Sequence, residues 1–231
     1  MVGAGMAEYD IDGLRMVVPD AALNARIAAK LEAGTYEAQE ARAAAMRLRA
    51  GQRVLELGAG IGYVSAICAR AVGAGHVTCV EANPAMLPVI RANLERNGYG
   101  AVTLLHGAVT GREGTEAPIA FDGAKTFWAG RIADGETSAA RRVDVPALGL
   151  DGLLHRVRPQ VVIMDIEGAE EHLFDAPWPA HVATVMLELH PGRYPDTVVQ
   201  RIVDCMSASG LTYDPGPSCG RILCFRKLRG R

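Results

Sequence analysis

Short apolar runs alternate with helical segments along most of this chain. Strands are predicted at 53–57, 76–81, 101–106, 161–166 and 184–189, with two terminal strands near 211–214 and 221–226. Helices are predicted at about 61–72, 84–97 and 196–208, with a short helix after the strand at 161–166. Because strands that alternate with helices form parallel sheets covered on both faces, the pattern predicts an α/β fold.

The N-terminal part of the chain has a different pattern. Residues from about 20 to 50 are rich in Ala, Leu, Glu and Arg, and they predict two helices broken at Gly34-Thr35. We therefore expect an N-terminal helical cap over residues 1–50, followed by the main domain over residues 51–231.

A second departure covers residues from about 108 to 147, which show no helical pattern and contain much Gly, Thr, Asp and Arg. Short β-like pieces at 125–128 and 141–145 predict a β-hairpin insertion. An excursion of this length in a compact domain is either functional or disordered. The adjacent aromatics Phe127 and Trp128 fit a flap that faces the substrate, and they fit the packing of an edge hairpin equally well.

Composition and charge narrow the function classes. The 231 residues suffice for one full α/β domain and are too few for two large ones. A net charge of −2 provides no broad field for nucleic acid or an anionic membrane, and the basic tail from Arg221 is interpreted as a solvated chain end. The five cysteines lack metal-finger spacing, which favours a reduced, cytoplasmic protein. No apolar run approaches the roughly 20 residues that span a bilayer, so no membrane partner is expected.

A glycine-rich turn follows the first strand of the alternation. From Glu56 to Tyr63 the chain reads Glu-Leu-Gly-Ala-Gly-Ile-Gly-Tyr, which spaces Gly58, Gly60 and Gly62 as G-x-G-x-G. A dinucleotide-binding turn is G-x-G-x-x-G, and Tyr63 stands where its third glycine would be. A carboxylate ahead of the turn also suits a cationic sulfonium better than a pyrophosphate. The turn therefore favours S-adenosylmethionine (SAM) over a nicotinamide dinucleotide.

Glu81 ends the next predicted strand. An acidic side chain at this position can accept hydrogen bonds from both ribose hydroxyls of a nucleoside. NAD and SAM folds share this role, so Glu81 alone does not distinguish the cofactors. Together with Glu56 and the three glycines, it predicts a cofactor site rather than a turn without a ligand.

Two later strands end in acidic side chains. Asp165 and Glu167 end the run that begins at Val161, and Glu188 and His190 end the following strand. Residues i and i+2 of a strand share a face, so each pair is expected to project to one side. If the two strands are neighbours, the four side chains converge beside the methyl group of the cofactor, at the carboxyl ends of the strands, where open α/β sheets bind ligands.

Three roles are open for His190. It could be a general base that the carboxylates orient. It could hold a hard cation together with carboxylate oxygens, or it could be a hydrogen-bonded structural histidine. In a structural alternative, Glu167 begins the next helix as a residue favoured by the helix dipole. This alternative suits Glu170 and Glu171 better than it suits Asp165.

These residues resemble those of the FkbM family of SAM-dependent methyltransferases, and the resemblance extends from about residue 35 to the end of the chain. It rests on Gly34-Thr35-Tyr36-Glu37, Glu56 to Tyr63, Glu81-Ala82-Asn83-Pro84, Gly107-Ala108-Val109, Leu150 to Leu154, Met164 to Glu170 and Glu188 to Pro191. The D-x-E-G-A-E segment from Asp165 to Glu170 is the most specific of these, because most methyltransferases share the glycine turn.

The resemblance implies a Rossmann-like, mostly parallel seven-stranded sheet with helices on both faces. It implies O-methylation of a hydroxyl on a sugar, a polyketide or a similar small molecule. The implied cofactor residues are Tyr36, Glu56, Gly58, Ala59, Gly60, Gly62, Glu81, Ala82, Asn83, Gly107, Ala108 and Asp165. The chain departs from the family at Glu56 to Gly60, where the family has Asp-x-Gly-Ala-Asn, and at Met164, where the family often has a Lys that could assist deprotonation.

The resulting hypothesis is a SAM-dependent O-methyltransferase that acts on a small-molecule acceptor. The methyl group would pass to a hydroxyl by in-line displacement, with most of the rate gained from proximity and orientation. His190 or Asp165 would remove the hydroxyl proton, with Glu167 and Glu188 beside them as further catalytic residues. A divalent metal and a homodimer are left open.

Three alternative functions are weaker. A non-catalytic SAM-binding protein gives no reason for the acids and the histidine on the later strands. An N-methyltransferase that acts on an amide or ring amine is disfavoured because the chain lacks an N-P-P-[YF] tetrapeptide. A nicotinamide oxidoreductase is disfavoured by Tyr63.

Overall fold

The computed structural model describes residues 5–115, 117–123, 131–132, 138 and 142–228. Its strands are β1 Met6–Ile11, β2 Leu14–Pro19, β3 Val54–Leu57, β4 Val77–Glu81, β5 Thr103–His106, β6 Ala108–Gly111, β7 Ile119–Asp122, β8 Arg131–Ile132, β9 Arg142–Val145, β10 Ala147–Gly149, β11 Val161–Met164, β12 Thr184–Glu188, β13 Leu211–Tyr213 and β14 Ile222–Lys227. Its α-helices are α1 Ala25–Glu32, α2 Ala38–Arg47, α3 Tyr63–Val72, α4 Leu87–Arg96, α5 Leu150–Val157 and α6 Asp196–Ala208, and 3₁₀ turns cover Asp20–Ala22, Ala74–His76 and Ala169–His172. None of the helices in the described ranges has the length and apolar character needed to cross a membrane.

Seven strands form the central sheet, in the order β13-β14-β12-β11-β3-β4-β5. Strand β14 runs antiparallel to both of its neighbours, and the remaining pairs are parallel. The predicted Rossmann-like, mostly parallel seven-stranded sheet is confirmed. From β3 the chain builds the sheet outward to β4 and β5, and it then returns to place β11 on the other side of β3. The carboxyl ends of β3 and β11 therefore form the switch point at which such sheets bind ligands.

The sheet separates two hydrophobic cores. Val54 of β3 packs with α2, α3, α4 and the N-terminal elements, whereas Leu55 and Leu57 pack with α5 and α6. This alternation follows from the two-residue period of a strand that is buried on both faces. Helix α6 shows the complementary helical period, because its buried residues Val198, Ile202, Cys205 and Met206 lie on one face.

The N-terminal segment contains the two predicted helices, α1 and α2, and also a β-hairpin that the sequence analysis did not predict. Strands β1 and β2 pair antiparallel, and the turn between them is Asp12-Gly13, with φ values of +53° and +75°. An Asp-Gly pair is a strong hairpin signal, since both positions of this turn type need positive φ. Asn93 of α4 accepts a hydrogen bond from the N–H of Val17 and donates one to its carbonyl. The expected helical cap over residues 1–50 is thus corrected to a hairpin followed by two helices.

The insertion contains strands, as expected, although part of it lies outside the described residues. Strands β7, β8 and β9 form a small antiparallel sheet, and β10 pairs parallel to β6. The strand predicted at 141–145 corresponds to β9. The predicted strand at 125–128, with Phe127 and Trp128, lies outside the described residues, so its role as a flap stays a prediction. Helix α5 was not predicted, although its buried leucines Leu150, Leu153 and Leu154 have helical spacing.

Candidate active site

The glycine turn joins β3 to α3 and lies against the ends of two neighbouring strands. Gly58 has a φ of +89°, and a Cβ placed on it would lie 1.8 Å from the backbone oxygen of Asp165. Glycine is required at this position because the chain beyond β11 approaches so closely. The backbone N–H groups of Gly58 and Ala59 donate to the carbonyl of Val80, which joins the turn to β4. A Cβ on Gly60 would lie 3.2 Å from the hydroxyl of Tyr36, so this predicted residue also lies beside the turn.

Glu81 lies buried at the end of β4, next to the glycine turn. Its carboxylate accepts hydrogen bonds from the backbone N–H of Gly60 at 2.9 Å and of Asn83 at 2.7 Å. Burial raises the pKa of Glu81 to about 7, against these hydrogen bonds, which lower it. The carboxylate thus links the turn to β4, at the position expected for a ribose-binding group.

The other predicted cofactor residues of this half lie around Glu81. The N–H of Gly107, the residue after β5, donates to the carbonyl of Glu81. The carbonyl oxygen of Ala82 lies 3.2 Å from the ring Nε2 of His106 in β5. Ala108 begins β6, and its N–H donates to the carbonyl of Pro146. Residues that are far apart in the sequence, such as Gly60 and Gly107, therefore lie on either side of Glu81 in the folded chain.

Glu56 lies beneath the turn and is 2% exposed. The hydroxyl of Ser65 in α3 donates to its carboxyl group. Burial raises the pKa of Glu56 to about 8, even though the hydrogen bond from Ser65 lowers it. Burial thus favours the uncharged form of this carboxyl group, which weakens the electrostatic argument that placed it beside a sulfonium. Contact between Glu56 and the cofactor stays a prediction.

The four predicted catalytic side chains do converge, and we call them the His190 cluster: Asp165, Glu167, Glu188 and His190. Strands β11 and β12 are parallel neighbours, with Met164 opposite Leu187, so Asp165 and Glu188 follow at adjacent positions. The Nε2 atom of His190 lies 3.4 Å from Oδ1 of Asp165 and 3.7 Å from Oε2 of Glu167. One ligand atom each from Asp165, Glu188 and His190 lies within 4.8 Å of the others.

The convergence of Asp165 and Glu167 has a different cause from the one expected. Strand β11 ends at Met164, so the two acids do not share a strand face. The chain turns after Asp165, with a φ of +54° at Glu167 and +110° at Gly168. A left-handed conformation is costly for a residue other than glycine, and such conformations concentrate at functional sites. Glu37, at the start of α2, has a φ of +45° and lines the same cavity.

Glu170 is a residue of this site that the sequence analysis missed. Its side chain is fully buried, and its Oε1 atom lies 3.2 Å from Nδ1 of His190. The backbone N–H groups of Ile166 and Gly168 donate to the same carboxylate. Glu170 therefore fixes the orientation of the imidazole and directs Nε2 toward Asp165 and Glu167. Glu170 lies in the D-x-E-G-A-E segment, which could have indicated a role in the site. The sequence instead suggested that Glu170 begins a helix.

The charges around His190 oppose the effect of its burial. Burial alone lowers the pKa of the imidazole, but the hydrogen bond to Glu170 and the charges of Glu170, Glu167 and Glu188 raise it above its usual value. Burial also raises the pKa of Asp165 well above its usual range, and the charges of Glu188 and Glu37 raise it further. Asp165 and His190 thus hold protons more firmly than the same groups do in water.

A cavity of about 670 Å³ opens over the His190 cluster. The α1 helix, the α1–α2 turn, the start of α2 and the ends of β11 and β12 form its walls. Among the described residues, its acidic side chains outnumber its basic ones: they are Glu37, Glu40, Asp165, Glu167 and Glu188, against Arg26, Lys30 and Arg221. Arg221 pairs with Glu188. The N-terminal helices therefore contribute carboxylates that the sequence analysis did not assign to the site.

Part of this chain is similar in sequence to known methyltransferases. A family model described as "Methyltransferase domain" matches residues 54–128, about a third of the chain. A protein-L-isoaspartate O-methyltransferase from Methanothrix thermoacetophila is 43% identical over 72 residues, which cover 31% of this chain and 34% of that protein. The chain thus matches about a third of the length of such curated relatives.

Two solved structures resemble nearly the whole chain in fold. A putative SAM-dependent methyltransferase from Streptococcus mutans has a TM-score of 0.52 and 11% identity, and the match covers 98% of this chain and 56% of that one. M. jannaschii TYW2 in complex with AdoMet has a TM-score of 0.50 and 11% identity, with 99% and 89% covered. The chain is thus similar to a methyltransferase domain over residues 54–128, and it has the fold of SAM-dependent methyltransferases.

Proposed function

We propose that this protein is a SAM-dependent methyltransferase of the FkbM type that methylates a hydroxyl group of a small molecule. The glycine turn and Glu81 bind the donor. The His190 cluster binds the acceptor hydroxyl in the cavity and assists the loss of its proton. The methyl group then passes in line from the sulfonium to the acceptor oxygen, and the orientation of the two reactants supplies most of the rate.

One observation carries this proposal: the donor turn and the His190 cluster meet at the switch point of the sheet. Gly58 contacts the backbone of Asp165, so a cofactor seated on the turn has the cluster beside it. A protein that only stored SAM would gain nothing from a histidine held between Glu170 and two further carboxylates. This arrangement is what proton removal from an acceptor requires.

The charge of the cavity bears on the choice of acceptor. The curated relatives are named protein-L-isoaspartate O-methyltransferases, and an isoaspartyl acceptor carries a carboxylate. A carboxylate would enter a cavity in which acidic side chains outnumber basic ones, and like charges at short range repel. Hydroxyl groups instead donate hydrogen bonds to carboxylates. The cavity therefore favours a polyhydroxylated acceptor such as a sugar over an isoaspartyl peptide.

Calorimetry and a methyl-transfer assay test the two parts of the proposal. We expect SAM and S-adenosylhomocysteine to bind in a one-to-one ratio, with no heat from NAD. Transfer of a radiolabelled methyl group should be seen with members of a panel of sugar and polyketide alcohols and not with an isoaspartyl peptide. NAD binding without SAM binding would disprove the enzyme class, and methylation of the peptide alone would disprove the acceptor class.

A further inference from the structure

The Nε2 atom of His190 is the unusual feature of the cavity. Oε1 of Glu170 lies 3.2 Å from Nδ1 and also accepts a hydrogen bond from the N–H of Ile166, so Nδ1 donates to Glu170 and Nε2 is the ring nitrogen that faces Asp165 and Glu167. The Nε2 atom lies 3.4 Å from Oδ1 of Asp165 and 3.7 Å from Oε2 of Glu167. Two carboxylates this close to one ring nitrogen need a positive charge there, which a proton on Nε2 or a bound cation would supply.

A second observation points to a ligand at the same place. The Oδ1 atom of Asp165 is shielded from solvent and makes no hydrogen bond to any described residue. The remainder of the side chain reaches the cavity and is 28% exposed. Shielded carboxylate oxygens in folded proteins almost always have a hydrogen-bond donor or an ion as a partner. Oδ1 lies 3.4 Å from Nε2 of His190, and a cation bound by both atoms would give this oxygen a partner.

We propose that Asp165, Glu188 and His190 form a binding site for a divalent cation of the Mg²⁺ and Mn²⁺ type. Their ligand atoms lie within 4.8 Å of one another. Two ligands on opposite sides of such an ion are about 4 to 5 Å apart, twice the usual bond length, so a small movement brings all three into contact with one ion.

The surroundings of the site match those of a metal-bound histidine. Histidines that bind metals almost always donate their other ring N–H to a carboxylate or a carbonyl, which fixes the tautomer. Glu170 has this role for His190. Carboxylate ligands suit Mg²⁺ and Mn²⁺, and an imidazole moves the preference toward Mn²⁺. The excess of carboxylates around the cavity adds attraction for a cation.

This inference rests on the proposed function and deepens it. A cation at the end of β11 and β12 would bind the acceptor hydroxyl directly, and a hydroxyl bound to a divalent ion ionises more easily. His190 would then act as a metal ligand, and the proton of the hydroxyl would pass to Glu167, the carboxylate of the cluster that is not a ligand. The cation also explains how a cavity lined by acidic groups can stabilise an alkoxide.

Isothermal calorimetry and electron paramagnetic resonance with Mn²⁺ test the site on the full chain, with and without SAM. We expect one Mn²⁺ per chain, displaced by excess Mg²⁺. Asp165→Asn and His190→Ala should each weaken Mn²⁺ binding at least tenfold. Glu170→Gln, which alters a positioning residue, should weaken it about tenfold, because such partners orient the ligand.

A matched control and a separate SAM titration make the outcomes distinct. Glu171→Gln changes a half-exposed neighbour of Glu170 outside the cluster and should leave Mn²⁺ affinity unchanged. If Mn²⁺ gives neither heat nor a changed resonance while SAM binds, the cation inference is wrong and His190 remains the candidate base. Equal Mn²⁺ affinity in wild type, Asp165→Asn and His190→Ala would also overturn it. If the wild-type protein does not bind SAM, the proposed function itself is wrong.

Discussion

Two groups of acidic side chains lie near the same edge of the sheet, and they are stabilised in different ways. Beside the glycine turn, Glu56 and Glu81 each have their own donors: the hydroxyl of Ser65, and the backbone N–H groups of Gly60 and Asn83. In the His190 cluster, by contrast, Oδ1 of Asp165 has no hydrogen-bond donor among the described residues. Its neighbours there are other charged groups.

The difference separates a preformed region from one that depends on a ligand. Glu56 and Glu81 are held in place by hydrogen bonds within the fold. The part of the site beside the glycine turn, called the donor side because SAM is proposed to bind there, is therefore formed before any ligand binds. Like charges that face one another are stable only with a counter-charge. The cluster side therefore gains its missing interactions from an acceptor, a proton or a cation. The following changes test this comparison, starting with the largest expected effect.

Replacement of His190 by Ala should separate the two sides most clearly. We expect methyl transfer to slow about a thousandfold, since removal of a group that assists proton transfer typically costs roughly 10² to 10⁴ in rate. SAM affinity should stay within about twofold of wild type, because His190 lies on the cluster side. Single-turnover rates and calorimetry measure the two quantities. An unaltered rate would remove His190 from the catalytic machinery.

Gly58→Ala tests the contact between the two sides. The added Cβ would overlap the backbone oxygen of Asp165, at 1.8 Å, in a left-handed conformation. We expect the free energy of unfolding to fall by about 3 kcal/mol in urea titrations. The matched control is Gly34→Ala, which has a φ of +65° and nothing within 4 Å of its Cβ. It should cost about 1 kcal/mol from backbone strain alone. Equal losses would show that the approach to Asp165 is looser than described.

Glu56→Gln tests whether burial governs the donor side. Because the folded pKa of Glu56 is raised to about 8, its contribution to stability is fully present below the unfolded pKa of about 4.5 and is lost as pH rises through about 8. Wild-type protein should therefore lose roughly 3 kcal/mol more than the variant between pH 5 and pH 8. Urea unfolding at several pH values measures this. Parallel curves for the two proteins would contradict the burial of an ionisable group.

Glu81→Ala has the smallest expected effect and tests the donor side directly. Loss of the carboxylate should weaken SAM binding about thirtyfold, because two hydrogen bonds to the ribose would be lost, each worth about 1 kcal/mol. Glu95→Ala, an exposed change on α4, serves as the control and should not alter affinity. If Glu81→Ala binds SAM as wild type does, the cofactor site lies elsewhere.

Most of the elements around the site could be predicted from local patterns, and the errors have identifiable causes. The strands at β3, β4, β11 and β12 and helix α6 agree with their predicted positions to within about three residues. The hairpin at Asp12-Gly13 was missed although its turn signal is present. Helix α5 was missed because Gly152 interrupts a short run of buried leucines.

The sequence by itself determined the alternation of strands and helices, the glycine turn with its acids, and the presence of Asp165, Glu167, Glu188 and His190 at strand ends. Each of these depends on residues that are close together in the chain, where periodicity and turn propensity act. Only the tertiary structure decided which of them meet. The pairing of β11 with β12 and the closure of the cavity by α1 and α2 depend on sheet order and packing between distant segments, which local periodicity does not encode. For the same reason Glu170, twenty positions from His190, became part of the site only once the chain had folded.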